Sequence, residues 1–139
     1  MTDQADPLAE FSNALARRVE MAKSAIVAVR LAHGRHLTGM MWRPEVLVAS
    51  EQSLPRRDDF ELVATGGAVV TARMAGRDSA TNIAILRLSE PMASPSIAAG
   101  EAHTGAVALA IGADGTGGAS ARLGSSIWPA PNGIPAAAG

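Results

Sequence analysis

The 139-residue sequence contains no cysteine. Disulfide scaffolds, thiolate nucleophiles, zinc ribbons and iron–sulfur sites are thereby excluded together. Tyrosine is also missing, and the aromatics are only Phe11, Trp42, Phe60 and Trp128. A platform that stacks nucleic-acid bases needs rings on a basic face. Against 13 acidic side chains, the 12 basic ones supply no long-range pull toward nucleic acid or anionic lipid. Both are set aside as main partners. Nowhere do 18 apolar residues run without a charge, and the opening MTDQADPLAEF has neither a basic start nor an apolar run. No membrane span and no signal peptide are expected, which makes a cytoplasmic location the default. Large core formers are scarce too: 29 residues are alanine, and Val, Ile, Leu, Met, Phe and Trp together number 37. A chain of this length forms one domain that buries roughly two-thirds of its unfolded surface, so the expectation is a single unit with a thin core.

One segment has helical periodicity. Asp6 can cap, Pro7 suits the first helical position, and Leu8, Phe11, Leu15, Val19 and Ala22 follow as one apolar stripe. This predicts a surface helix lying on a core. From Ser24 the pattern changes to short β-branched runs bounded by Gly, Pro or polar residues. Strands are expected near 25–31, 36–42, 45–50, 60–64, 68–76, 82–88, 105–111 and 121–128. The gaps between them are too short for the helices that parallel crossovers require. The prediction is therefore all-β, a closed antiparallel barrel or a sandwich, and not a doubly wound fold. The run Arg56, Arg57, Asp58, Asp59 reads as a solvated hairpin end, and Pro129 to Gly139 as a linker or frayed end.

The motifs that suggest ligands fail on mechanism. In Ile111 to Ser120, IGADGTGGAS, a phosphate loop would need Lys and Ser or Thr after its last glycine, at a helix N-terminus. Ala119, Ser120 and a strand-like run follow instead, so a loop between strands is expected. His33 and His36 are spaced as H-x-x-H, but they flank a probable turn at Gly34 and no third ligand is in view. Zinc wants three or four. His103 stands alone in a polar loop. No metal and no cofactor are expected.

The order LAEFSNALARRVEMAKSAIVAVRL, HLTGMMWRPEVLVASEQSL, AVVTARMAGRDSATNIAILRL, GAVALAIG and LGSSIWPA resembles the N-terminal barrel of trypsin-like serine proteases. Within that superfamily it is most similar to the bacterial high-temperature-requirement (Deg) group. Those proteins share a lead-in helix, a first strand like PAVVSI, a strand ending in TNNHVV, the pattern VVGRDxxTDLALLKI, and later VxAIGNPFG and TSGIVSA. The resemblance implies a trypsin-like six-stranded antiparallel barrel. It would be organised as an N-terminal tail and helix (1–23), the barrel (24–118), and a trailing strand and linker toward an absent second barrel (119–139).

Aligned on these motifs, the family's catalytic histidine falls at Glu51 and its catalytic aspartate at Asn82, 31 residues apart, close to the family's spacing. Neither is kept, and the nucleophilic serine of the family's GNSGG turn belongs to the second barrel. A carboxylate with a solution pKa near 4.3 is a poor proton shuttle at neutral pH. An amide cannot stabilise an imidazolium as the triad's carboxylate does. The expected function is a non-catalytic, protease-like barrel acting in protein or peptide binding, or as a folding half-unit. Its partner would be a protein: a second barrel in the same longer polypeptide, or another chain, covering an apolar face that contains part of the Ser125 to Trp128 strand. The alternative is the N-terminal part of a serine endopeptidase.

Overall fold

The computed structural model describes residues 6–96, 98–101 and 103–126. Helix α1 (Pro7–Ala22) begins where the Asp-Pro pair predicts. Asp6 Oδ1 accepts from the Leu8 N–H at 3.0 Å, and Pro7 occupies a position whose N–H would have no helical partner. The helix is less covered than its stripe predicts: Leu15, Val19 and Ala22 are half-buried, whereas Leu8 and Phe11 stay exposed. A 3-10 turn, Lys23–Ala25, leads into the first strand.

All eight expected strands form. They are β1 (Ile26–Arg30), β2 (His36–Arg43), β3 (Val46–Ser50), β4 (Asp59–Ala64), β5 (Val69–Asp78), β6 (Ile83–Leu88), β7 (Val107–Ala113) and β8 (Ala119–Ser125). The first six close an antiparallel barrel in the order β1-β2-β3-β6-β5-β4, with β4 returning to β1 through Val27↔Ala64 and Val29↔Leu62. Register shifts at Met41/Arg43 on β2 and Met74/Gly76 on β5 supply the local bends that let a short sheet curl on itself.

The barrel interior is filled by Val27, Val29, Met41, Leu47, Leu62 and Leu86, all fully buried. Ala28, Ala49, Ala72 and Ala84 are buried among the strands. Small side chains suit the narrow interior of a small barrel.

Strand β7 does not join the barrel. It pairs with β8 from Val107↔Ser125 to Ala113↔Ala119 as a separate two-stranded sheet. The sheet is anchored at its turn: Ala113 N–H donates to Thr38 Oγ1 at 2.9 Å, His36 Nε2 donates to the Ala113 carbonyl at 3.0 Å, and Gly66 N–H donates to the Gly117 carbonyl at 2.8 Å. Gly117, at φ 101°, lies so close to the Gly67 backbone that a β-carbon there would overlap it. Toward the open end, Val107 and Leu123 are 59% and 56% exposed. With Leu109 and Ile111 they share one face of the hairpin, and that face borders a groove lined also by Phe11, Leu15 and Met21 of α1. Of the apolar face expected at Ser125 to Trp128, Ile127 and Trp128 lie outside the described residues, as does the linker expected from Pro129. Among the described residues no helix is long and apolar enough to cross a membrane.

Candidate functional site

Pairing of β3 with β6 sets Ser50 opposite Ile83. The residues just beyond, Glu51 and Asn82, therefore meet at one end of the barrel despite their separation in sequence. Glu51 opens a 3-10 turn, Glu51–Ser53, and its N–H donates to the Asn82 carbonyl at 3.2 Å. Asn82 immediately precedes β6 and has φ 57°, a left-handed conformation that Asn tolerates better than most residues. The approach to it is shaped by Asp78, whose carboxylate accepts from Ala80 N–H at 3.0 Å and from the Thr81 hydroxyl at 2.8 Å.

The side-chain carbonyl of Asn82 faces the turn. It accepts from Gln52 N–H at 2.9 Å and from the Ser50 hydroxyl at 3.0 Å. Both donors are local, and together they tie the end of β3 to the start of β6. The Glu51 carboxylate points to a different partner, Arg77 of β5, with Oε1 3.3 Å from Nη1. The two side chains are only 12% and 18% exposed. Arg77 donates further to the carbonyls of Leu54 and Pro55, so one guanidinium holds the carboxylate and the following loop. The two aligned positions thus do come together, but as a structural clasp: the carboxylate is committed to a cation and the amide oxygen to two neighbouring donors.

Arg77→Met should cost about 2 kcal/mol, less than the loss of a fully buried pair because both groups keep some contact with water. Urea denaturation of Arg77→Met, Glu51→Gln and the double variant checks this. A double variant no worse than Arg77→Met alone is the expected coupling, and strict additivity would show that the pair does not interact.

Ser50, Gln52 and Arg77 had no assigned role in the sequence reading. Arg77 stands in the GRD segment beside Asp78, but nothing local connects it with a carboxylate 26 residues earlier.

The remaining candidates fall elsewhere. His33 sits in the 3-10 turn Ala32–Gly34 with φ 59°, and His36 lies on β2 bonded to Ala113. Among the described residues no group of three or more His, Cys, Asp or Glu could hold a metal ion. The glycine-rich segment is the β7–β8 turn, and strand β8 follows it where a phosphate loop would need a helix. Its order comes from Asp114, whose Oδ1 accepts from Thr116 N–H at 2.8 Å, the Thr116 hydroxyl at 2.9 Å and Gly118 N–H at 2.9 Å.

Hydrogen bonds to the charged form hold both turn carboxylates below their ordinary value of 3.8: from Thr116 and Gly118 at Asp114, and from Thr81 and Ala80 at Asp78. A carboxyl with a depressed folded-state pKa stabilises the fold above its unfolded value, and that contribution is lost as pH falls through the folded value. Both turns should therefore hold at neutral pH and loosen only below the usual carboxylate range. Amide exchange at Ala80, Thr116 and Gly118, compared between about pH 5 and about pH 2, should show falling intrinsic-rate-corrected protection; unchanged protection would contradict the assignment.

No family model and no curated protein matches this chain.

Proposed function

We propose that the chain is a non-catalytic, trypsin-like barrel of the high-temperature-requirement type that serves protein or peptide binding. The observation that carries this reading is the clasp at the two positions where the resembled proteins keep their acid–base pair. There the Glu51 carboxylate is bound by Arg77 and the Asn82 amide oxygen is filled by Ser50 and Gln52. General acid–base catalysis needs a group free to exchange a proton with substrate at working pH, and neither side chain is placed for that. A hairpin face with Val107 and Leu123 largely exposed supports a role in contact with another protein, because sizeable apolar patches on soluble proteins mark interaction sites.

The test treats the purified chain with a fluorophosphonate probe and, separately, with fluorescently labelled casein. Neither serine labelling nor fragment release above the buffer control is expected, and Glu51→His combined with Asn82→Asp should remain equally inert. Labelling of any serine, or casein cleavage abolished by Glu51→Ala, would overturn the non-catalytic reading.

A further inference from the structure

Residues 30–36, Arg-Leu-Ala-His-Gly-Arg-His, carry four basic or titratable-basic side chains and no acid. Their turn is well defined: Leu31 N–H donates to the Arg35 carbonyl at 2.8 Å, Arg35 N–H returns to the Ala32 carbonyl at 3.3 Å, and His33 and Gly34 both have positive φ. Facing this turn is the loop after β3. Between them lies a cleft with apolar walls from Leu31, Leu37, Leu54 and Pro55, polar groups from Gln52 and Ser53, and the cations Arg35 and Arg57 at its rim.

No carboxylate lines this cleft. Of the acids near it, Glu51 pairs with Arg77, Glu61 with Arg30 at 2.7 Å and Asp59 with Arg73 at 3.3 Å, while Asp58, next to Arg57 in the chain, is not part of the lining. Arg57 is held in place, donating from Nη2 to the Arg30 carbonyl at 2.7 Å while its guanidinium lies 4.7 Å from the centre of the Phe60 ring. Its position is set before any ligand arrives, which lowers the ordering cost of binding. Arg35 forms no ion pair among the described residues. His36 is not counted as a holder, because its Nε2 is committed to Ala113.

A guanidinium fork matches a carboxylate in plane and charge, and the leucine and proline walls suit an apolar neighbour on the same ligand. Base stacking has no aromatic platform in this lining. We infer that the cleft binds an acidic peptide segment, an Asp or Glu carboxylate being held by Arg35 and Arg57 with an adjacent apolar side chain against Leu37 and Leu54. This rests on the peptide-binding reading above and names the peptide's chemistry.

The experiment measures fluorescence anisotropy of a fluorescein-labelled Gly-Leu-Glu-Glu-Leu-Gly amide with the full chain, beside the same peptide with Gln for both Glu. The Gln peptide should bind at least about 10-fold more weakly. Arg35→Gln should weaken the Glu peptide about 5- to 10-fold with an unchanged far-ultraviolet circular dichroism spectrum, since the Arg35 side chain forms no ion pair or hydrogen bond among the described residues. Arg87→Gln, on β6 away from the cleft, should leave binding as it is. Arg57→Lys keeps the charge but loses the fork and should weaken binding as well. Equal affinity for the two peptides, no binding of either, or no effect of Arg35→Gln overturns the cleft assignment. Complete displacement of the peptide by millimolar phosphate overturns it in favour of a free-anion site. A serine labelled by the fluorophosphonate overturns the non-catalytic reading whatever the peptides do, so the two failures are separable.

Discussion

Leu86→Ala should destabilise the protein by about 4 kcal/mol, lowering the melting temperature by about 15 °C. Leu86 is 0% exposed, pairs across β3 with the equally buried Leu47, and lies opposite Met74 on β5. Removing its branched end costs the transfer of those carbons and leaves a cavity that neighbours on closed, hydrogen-bonded strands cannot collapse to fill. The same cluster includes Ala49, Ala72 and Ala84, and these short side chains cannot swing in to fill the space. Ile85, the next residue along the strand, is 40% exposed on the outer face. Ile85→Ala should cost less than about 1 kcal/mol by the same area argument. Thermal unfolding of the two variants checks the pair, and equal losses would show that β6 does not present alternate residues to the barrel interior.

Asn82→Ala should cost about 3 kcal/mol, close to the core substitution although no apolar side chain is removed. Two hydrogen bonds, from Ser50 and Gln52, contribute about 1 kcal/mol each. A left-handed φ adds about 1 kcal/mol for a residue with a plain β-carbon. The parts separate by substitution. Asn82→Gly keeps the backbone conformation and loses the side-chain bonds, so it should fall near 2 kcal/mol, offset slightly upward by glycine's extra entropy in the unfolded chain. Asn82→Asp keeps an acceptor at the same place and tolerates the same φ, so it should stay within about 1 kcal/mol of the parent. Guanidinium denaturation of the three variants gives the order Asp, then Gly, then Ala. Asn82→Ala as stable as Asn82→Asp would mean that the amide oxygen does not tie β3 to β6.

Most of the local structure was legible. The Asp6-Pro7 cap set the start of α1, and the switch from helical spacing to β-branched runs near Ser24 located all eight strands, with ends moved by at most about three residues. These signals are local because capping, proline's fixed φ and alternation act over a few residues. The coverage of α1 was less legible. An apolar stripe says which side of a helix could be buried, but Leu8 and Phe11 remain exposed, and Phe11 borders a groove shared with the two-stranded hairpin and not the barrel interior.

At the candidate site, Glu51 and Asn82 were singled out by the resemblance, while Arg77 was not. The ion pair joins residues brought together only when β5 and β6 pair with a bulge at Met74/Gly76, which sets where the end of β5 lies relative to the turn after β3. A one-residue change in that register would carry Arg77 to the other face of the sheet. The cleft at Arg35 and Arg57 was likewise hidden. In sequence, Arg56 to Asp59 is a mixed-charge cluster fit for a solvated turn; in the fold Asp59 pairs with Arg73 and Arg57 lines the same cleft as Arg35.

By itself, then, the sequence determined the secondary structure, the all-β class and the lack of thiol chemistry. Only the tertiary structure decided that six strands close while β7 and β8 stand apart, that Glu51 is clasped by Arg77, and which cations are left without acidic partners. The reason is the range of the forces involved. Backbone sterics and hydrophobic alternation act between near neighbours, but barrel closure and ion pairing join residues separated by 26 to 37 positions, and which of them meet depends on register and bulges that the local pattern does not encode.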